Sequence, residues 1–175
     1  MKSDVAPVVI HVVVMGVAGC GKSAVGQRIA RQLNLPLIEG DDFHPASNIA
    51  KMQQGVALTD ADRADWLQTL AAELVKQPNG AVLTCSALKS AYRKTLRLGV
   101  RSLHFVYLAI TQAESLRRVG NRPGHFYPPS LVASQFEALQ EPTHEARVLT
   151  LDGQLPLDEL AAQAARWLGD STIRN

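Results

Sequence analysis

Gly16-Val17-Ala18-Gly19-Cys20-Gly21-Lys22-Ser23 reads G-x-x-x-x-G-K-S, and its residue types are those that grip a phosphate chain. Glycines carry no Cβ, so the backbone can wrap closely around phosphate oxygens. The N–H groups of the loop and of the helix that follows then point at the anion, where the helix dipole favours negative charge. Lys22 would reach the β- and γ-phosphates, and the Ser23 hydroxyl would sit on Mg²⁺. Such a loop needs a buried strand before it and a helix after it. The apolar run Val8–Met15 supplies the strand, and Val25, Ile29 and Leu33 supply the helical spacing. The stretch predicts an NTP site, with Mg²⁺ arriving on ATP.

Phosphoryl transfer needs three further parts: an oriented nucleophile, positive charge over the transferred group, and exclusion of water. Glu39-Gly40-Asp41-Asp42-Phe43-His44-Pro45 closes the second apolar run. A carboxylate there can hold a substrate hydroxyl and accept its proton. Asp41, nearer the strand end, leads Asp42, although Gly and Asp also favour plain turns. His44, ahead of a proline, is either a substrate contact or a helix-entry residue. The third apolar run ends in Thr84-Cys85-Ser86 with no aspartate after it, so Ser86 or a water would complete the Mg²⁺ shell and strand two would provide the carboxylate. Arg118 and Arg122, spaced i, i+4, could face one way and reach the phosphates. Arg122 opens Asn121–Pro129, a segment rich in Pro and Gly that reads as a lid carrying an arginine finger in cis. Cys20, in the loop beside Lys22, has the setting of a reactive thiol. If its strand neighbours the third, Cys85 would lie within disulfide reach.

The elements that must position these groups are short apolar runs alternating with helical patterns. The runs are Val8–Met15, Leu35–Glu39, Ala81–Cys85, Leu103–Leu108 and Arg147–Leu151. Between them come helices over Ala61–Lys76, Ala87–Leu98, Gln112–Gly120 and Pro129–Leu139, and Leu157–Leu168 closes the chain. This alternation predicts an α/β protein, a parallel sheet with helices on both faces and ligands at the carboxyl ends of the strands. A chain of 175 residues fits one domain, here residues 1–175 with 1–7 as a short tail. The apolar start is too short to span a bilayer, and Asp4 and His11 interrupt it. With 18 basic and 16 acidic residues there is no strong global field, which argues against nucleic acid as the main partner. Two cysteines make no disulfide framework and suit a reducing cytoplasm. No His, Cys or carboxylate cluster has the spacing of a structural metal site.

Several blocks together carry a more specific resemblance. They are Gly40-Asp41-Asp42-Phe43-His44-Pro45, Asn48-Ile49 with Lys51-Met52, Asp62-Arg63 with Trp66-Leu67, Cys85-Ser86-Ala87-Leu88-Lys89, Gly124-His125-Phe126 and Ser134-Gln135-Phe136-Glu137. In these the chain resembles the small bacterial gluconate kinases (gluconokinases) of the shikimate kinase-like P-loop group, from about residue 9 to residue 168. The resemblance implies a three-layer P-loop NTPase fold with a five-stranded sheet of order 2-3-1-4-5, a mobile lid at about 121–129, and a homodimer. It implies ATP-dependent phosphorylation of D-gluconate on its 6-hydroxyl. The product, 6-phospho-D-gluconate, would feed the pentose phosphate or Entner–Doudoroff routes. Cys20 stands where these kinases usually carry Ser, Ala64-Asp65 where a Pro is common before Trp66, and Gln140 where Glu is frequent.

Gluconate is a small polyol with one carboxylate, so its pocket should offer a cation and several hydrogen-bonding groups. Arg63 leads as the carboxylate partner, since a guanidinium can hold it bidentately. An ion pair with Asp60 or Asp62 is its alternative use. His44, Lys89, Arg93 and Gln135 are further candidates, beside Asp41. Two rivals stand beside this reading: another small-molecule kinase, above all one for shikimate, and a nucleotide-binding regulatory module. The second would lack Asp41 or the lid arginine, and both are present.

Overall fold

Strand β1 (Ile10–Met15) is the centre of the molecule, and five of its six residues are buried. It pairs in parallel with β3 (Gly80–Thr84) on one side and with β4 (His104–Ala109) on the other. Beyond these lie β2 (Leu37–Glu39) and β5 (Val148–Asp152), giving the expected five-stranded order β2-β3-β1-β4-β5. The computed structural model describes residues 9–124 and 127–173. The expected tail at 1–7, and His125 and Phe126 of the lid segment, lie outside the described residues.

Alternation along β1 sorts the core into two layers. Val12 and Val14 face α1 (Lys22–Leu33) and α7 (Leu157–Ile173), where Val25, Ile29, Leu160 and Leu168 close the layer. Val13 and Met15 face α3 (Asp60–Val75) and α4 (Ser90–Gly99), and there Trp66, Leu70, Leu74 and Leu96 fill the space. Each fully buried leucine contributes roughly 1.5–3 kcal/mol relative to an exposed one. Both sheet faces are thus covered, as a parallel sheet requires.

The helix boundaries differ from the periodicity at instructive places. Helix α3 starts at Asp60 because Thr59 caps it: the Asp62 N–H donates to Thr59 Oγ1, and the Thr59 N–H donates to Asp62 Oδ2. Helix α4 starts three residues later than expected, because Ala87 has a φ of 46° and Lys89 is extended. Helix α2 (Ala46–Gln53) was not expected: it is short and only half apolar, with only Asn48 and Met52 buried. After α5 (Gln112–Gly120), the segment over 129–139 splits into a 3₁₀ turn, Pro129–Leu131, and α6 (Val132–Ala138). No helix among the described residues is long and apolar enough to cross a membrane.

Candidate active site

The phosphate-binding loop runs from the end of β1 into α1, with Gly21 in the left-handed region (φ 96°) as the residue before the helix. Gly16 is demanded by space as well as by its φ of 148°: a Cβ there would meet Leu108 O at 2.8 Å and Cys20 Sγ at 2.7 Å. Lys22 Nζ donates to the carbonyls of Gly16 and Val17, both at 3.1 Å, and so lies along the loop. The loop is strapped from outside. The Ala18 N–H donates to Gln135 Oε1 (2.6 Å), Ser115 Oγ donates to Ala18 O (2.7 Å), and Arg118 Nη1 donates to Gly19 O (3.3 Å). Arg118 also donates to Glu114 and to Gly153 O, which ties α5 to the turn after β5.

Strand β2 brings carboxylates to the same edge. Glu39 Oε2 accepts from Ser23 Oγ (3.0 Å) and from Thr84 Oγ1 (2.5 Å). A serine hydroxyl and a carboxylate so placed are hard oxygen donors of the kind Mg²⁺ takes beside phosphate oxygens and water. Among the described residues no group of three or more His, Cys, Asp or Glu could hold a metal on its own. The chain then turns through the 3₁₀ segment Gly40–Phe43. Gly40 passes so close to β3 that a Cβ would stand 2.2 Å from Thr84 O, and the Trp66 indole N–H donates to Gly40 O (2.8 Å). Asp41 follows with its side chain 55% exposed. His44 is buried with its ring stacked on Trp66 at 4.1 Å, and its Nε2 lies 3.8 Å from Asp41 Oδ1. Burial, reinforced by Arg63 and opposed by Asp41, brings the His44 pKa down to about 4, so the ring is neutral at physiological pH.

A cavity of about 320 Å³ opens over the loop and gathers most of the predicted side chains. Gly19, Gly21, Lys22 and Ser23 line its phosphate side, with Ala18 at the edge. Asp41, His44, Arg63 and Gln135 line it as well, Gln135 against the loop itself, and Arg118 and Arg122 border it from α5 and the turn beyond. Val17 and Cys20 are buried beneath the loop. A second cavity of about 190 Å³ shares Arg63 and Gln135 with the first and holds Lys89.

The alternative use of Arg63 does not occur. Asp62 pairs with Lys51 at 2.7 Å, and Asp60 pairs with Lys89 at 2.8 Å and accepts from the Tyr92 hydroxyl. Among the described residues no carboxylate lies within ion-pairing distance of Arg63, whose guanidinium stands 5.8 Å from the Tyr92 ring centre. Arg93 requires a correction. It is fully buried away from both cavities, and its donors go to the carbonyls of Ala87, Leu88 and Gln140 and to Glu145. Its guanidinium has no N–H left for a substrate, so Arg93 is structural. The disulfide expectation fails too. Both thiols are free, and Cys20 packs in the α1/α7 layer while Cys85 packs in the α3/α4 layer. Burial pushes the Cys85 thiol up to about 12.

The AAA-domain family model matches residues 12–143. The chain is 41% identical over 157 residues to the gluconokinase of Gluconobacter oxydans, covering 88% of each. It is 44% identical over 133 residues to the thermosensitive gluconokinase of Escherichia coli, covering 74% of this chain and 71% of that one. A crystal structure of a gluconokinase from Sinorhizobium meliloti superposes with a TM-score of 0.88 at 40% identity, covering 95% of both chains. The chain belongs to the gluconokinase family.

In this gluconokinase-family chain several residues act through others. Glu39 was legible only as an unnamed strand-two carboxylate, and the oxygen it offers to Ser23 emerges once β2 lies beside β3. Trp66, named above only within a resemblance block, fixes the backbone before Asp41 through its indole N–H. Asn48 lies on the unexpected α2, and Tyr127 borders the cavity from the segment between α5 and α6. For Trp66 and Asn48 the signal was a buried polar atom, which spacing does not reveal.

Proposed function

We propose that this protein transfers the γ-phosphoryl group of ATP to the 6-hydroxyl of D-gluconate, yielding 6-phospho-D-gluconate and ADP. The observation that carries the reading is one cavity lined by Lys22 and Ser23 of the phosphate loop together with Asp41 and Arg63, in a gluconokinase-family chain. Asp41 holds the attacking hydroxyl and takes its proton as the new O–P bond forms and the bond from phosphorus to the ADP oxygen breaks. Lys22 and Arg122 place positive charge over the transferred group, and Arg118 braces the loop. Arg63, free of any protein carboxylate among the described residues, is the guanidinium for the acid end of the substrate. Lys89 and Gln135 extend that end into the second cavity.

Ser23 and Glu39 would hold the Mg²⁺ that accompanies ATP, and the ion would supply neutralisation of charge on the phosphate oxygens. Residues 121–129 act as the lid of a single kinase domain. Two unbridged cysteines suit a cytoplasmic enzyme. Pairing of two copies rests on the resemblance alone.

The test is ADP release from purified protein with Mg-ATP, scanned over gluconate, idonate, shikimate, glucose and AMP. Gluconate should give a strong rate, and Asp41→Asn should lower kcat by roughly 10²- to 10⁴-fold with ATP binding retained. A preference for shikimate or AMP would overturn the acceptor assignment, and turnover indifferent to acceptor would overturn the kinase reading.

A further inference from the structure

His44 stands where a substrate contact was expected, but its hydrogen-bonding pattern points elsewhere. Asn48 Nδ2 donates to the carbonyl of Asp62 at 2.9 Å, which identifies that atom as the amide nitrogen. The same nitrogen meets His44 Nδ1 at 3.4 Å. Since Asn48 presents a donor, Nδ1 must be the acceptor, and the single proton of the neutral imidazole belongs on Nε2. Nε2 faces Asp41 Oδ1 at 3.8 Å, and no Lys or Arg side chain lies within ion-pairing distance of Asp41 among the described residues.

The ring cannot easily turn away. It is stacked on Trp66 with 15° between the planes, and Trp66 is itself pinned through its N–H to Gly40 O, one residue before Asp41. Helix α3 therefore fixes the backbone of Asp41 and the platform of His44 through a single indole. Helix α2 sets the tautomer through Asn48. We propose that His44 is a positioning residue for phosphoryl transfer: Asn48 holds its proton on Nε2, and that N–H fixes the orientation of the Asp41 carboxylate toward the acceptor hydroxyl. This rests on Asp41 being the base. The 3.8 Å separation is longer than a hydrogen bond, and contacts of this kind shorten when the substrate complex forms. A neutral donor has a further merit over a cation, because it orients the carboxylate without taking the full proton affinity from it.

The decisive experiment is a double-mutant cycle under single-turnover conditions with labelled ATP, where slow rates stay measurable. His44→Phe keeps a ring for Trp66 to stack on and removes the N–H. It should lower the transfer rate by roughly 10- to 100-fold, the scale of a small misplacement of a reacting group, with gluconate KM and the melting temperature little changed. In the Asp41→Asn background the same change should cost nothing further. An equal loss in both backgrounds would mean that His44 touches the substrate directly, and would overturn the proposal. Asn48→Asp, which offers Nδ1 an acceptor and so reverses the tautomer or charges the ring, should lower the rate in the same direction. An unchanged rate in that variant would also overturn it. If Asp41→Asn itself kept the wild-type rate, the base assignment would fall first, a result distinct from either.

Discussion

Replacing Arg93 by Met separates a substrate-binding arginine from a structural one. All five N–H donors of Arg93 are used: Nη1 on Ala87 O (2.8 Å) and Leu88 O (3.0 Å), Nη2 on Gln140 O (2.8 Å) and Glu145 Oε1 (2.6 Å), and Nε on the same carboxylate. Breaking a buried pair of this kind costs about 3–5 kcal/mol, since the partners left behind stay desolvated. Arg97, at 2.7 Å from Glu145 Oε2, and the partial exposure of that carboxylate keep the loss from growing larger. For a chain of this size, each kcal/mol moves the melting temperature by about 2–4 °C, so the expected drop is roughly 6–20 °C. Thermal unfolding would measure it, and ADP release well below the new midpoint would show gluconate KM within about twofold of wild type. A variant that kept its melting temperature but lost gluconate affinity by more than tenfold would refute the structural assignment.

Three further outcomes are expected. Gly40→Ala places a Cβ 2.2 Å from Thr84 O, so the turn carrying Asp41 must shift; kcat should fall by about 10²-fold while ATP binding, measured by calorimetry, is kept. Glu39→Gln removes the charge that Ser23 and Thr84 hydrogen-bond, and the Mg²⁺ concentration for half-maximal rate should rise at least about tenfold. The third concerns acid. Unfolded His44 takes up a proton near 6.5 but the folded ring stays neutral to about 4, so stability is present above 6.5 and is lost as pH falls through that window. The His44 share should be on the order of 2–3 kcal/mol, read from urea midpoints; His44→Phe should remove that share and leave the loss due to His104, whose pKa burial also lowers.

What could be read in the sequence, and what could not, divides along a physical line. The phosphate loop is local: its glycines, lysine and serine are contiguous, and their meaning depends only on a strand before and a helix after. The sheet order came with the resemblance, and β2-β3-β1-β4-β5 agrees with it. Arg93 misled because a basic residue on a helix looks the same whether it faces a ligand or a half-buried carboxylate 52 positions away. The start of α4 was missed because the left-handed Ala87 is held by tertiary contacts, including Arg93 on its carbonyl, and not by its own propensity. Helix α2 has too few buried positions to show a period. Cys20 and Cys85 looked like neighbours because strand order says which strands touch, while the layer a side chain enters depends on how its loop turns.

The hydrogen bond from Ala18 to Gln135 has a thermodynamic consequence. Gln135 borders both cavities, so the group that steadies the nucleotide loop also borders the space assigned to the acceptor. Two ligands that bias one shared contact cannot bind independently. By whatever factor bound nucleotide tightens the acceptor, the acceptor tightens the nucleotide equally. With the acceptor seated against Gln135, a side chain 117 positions from its partner would make the affinities for the two substrates a joint property of α6 and the loop.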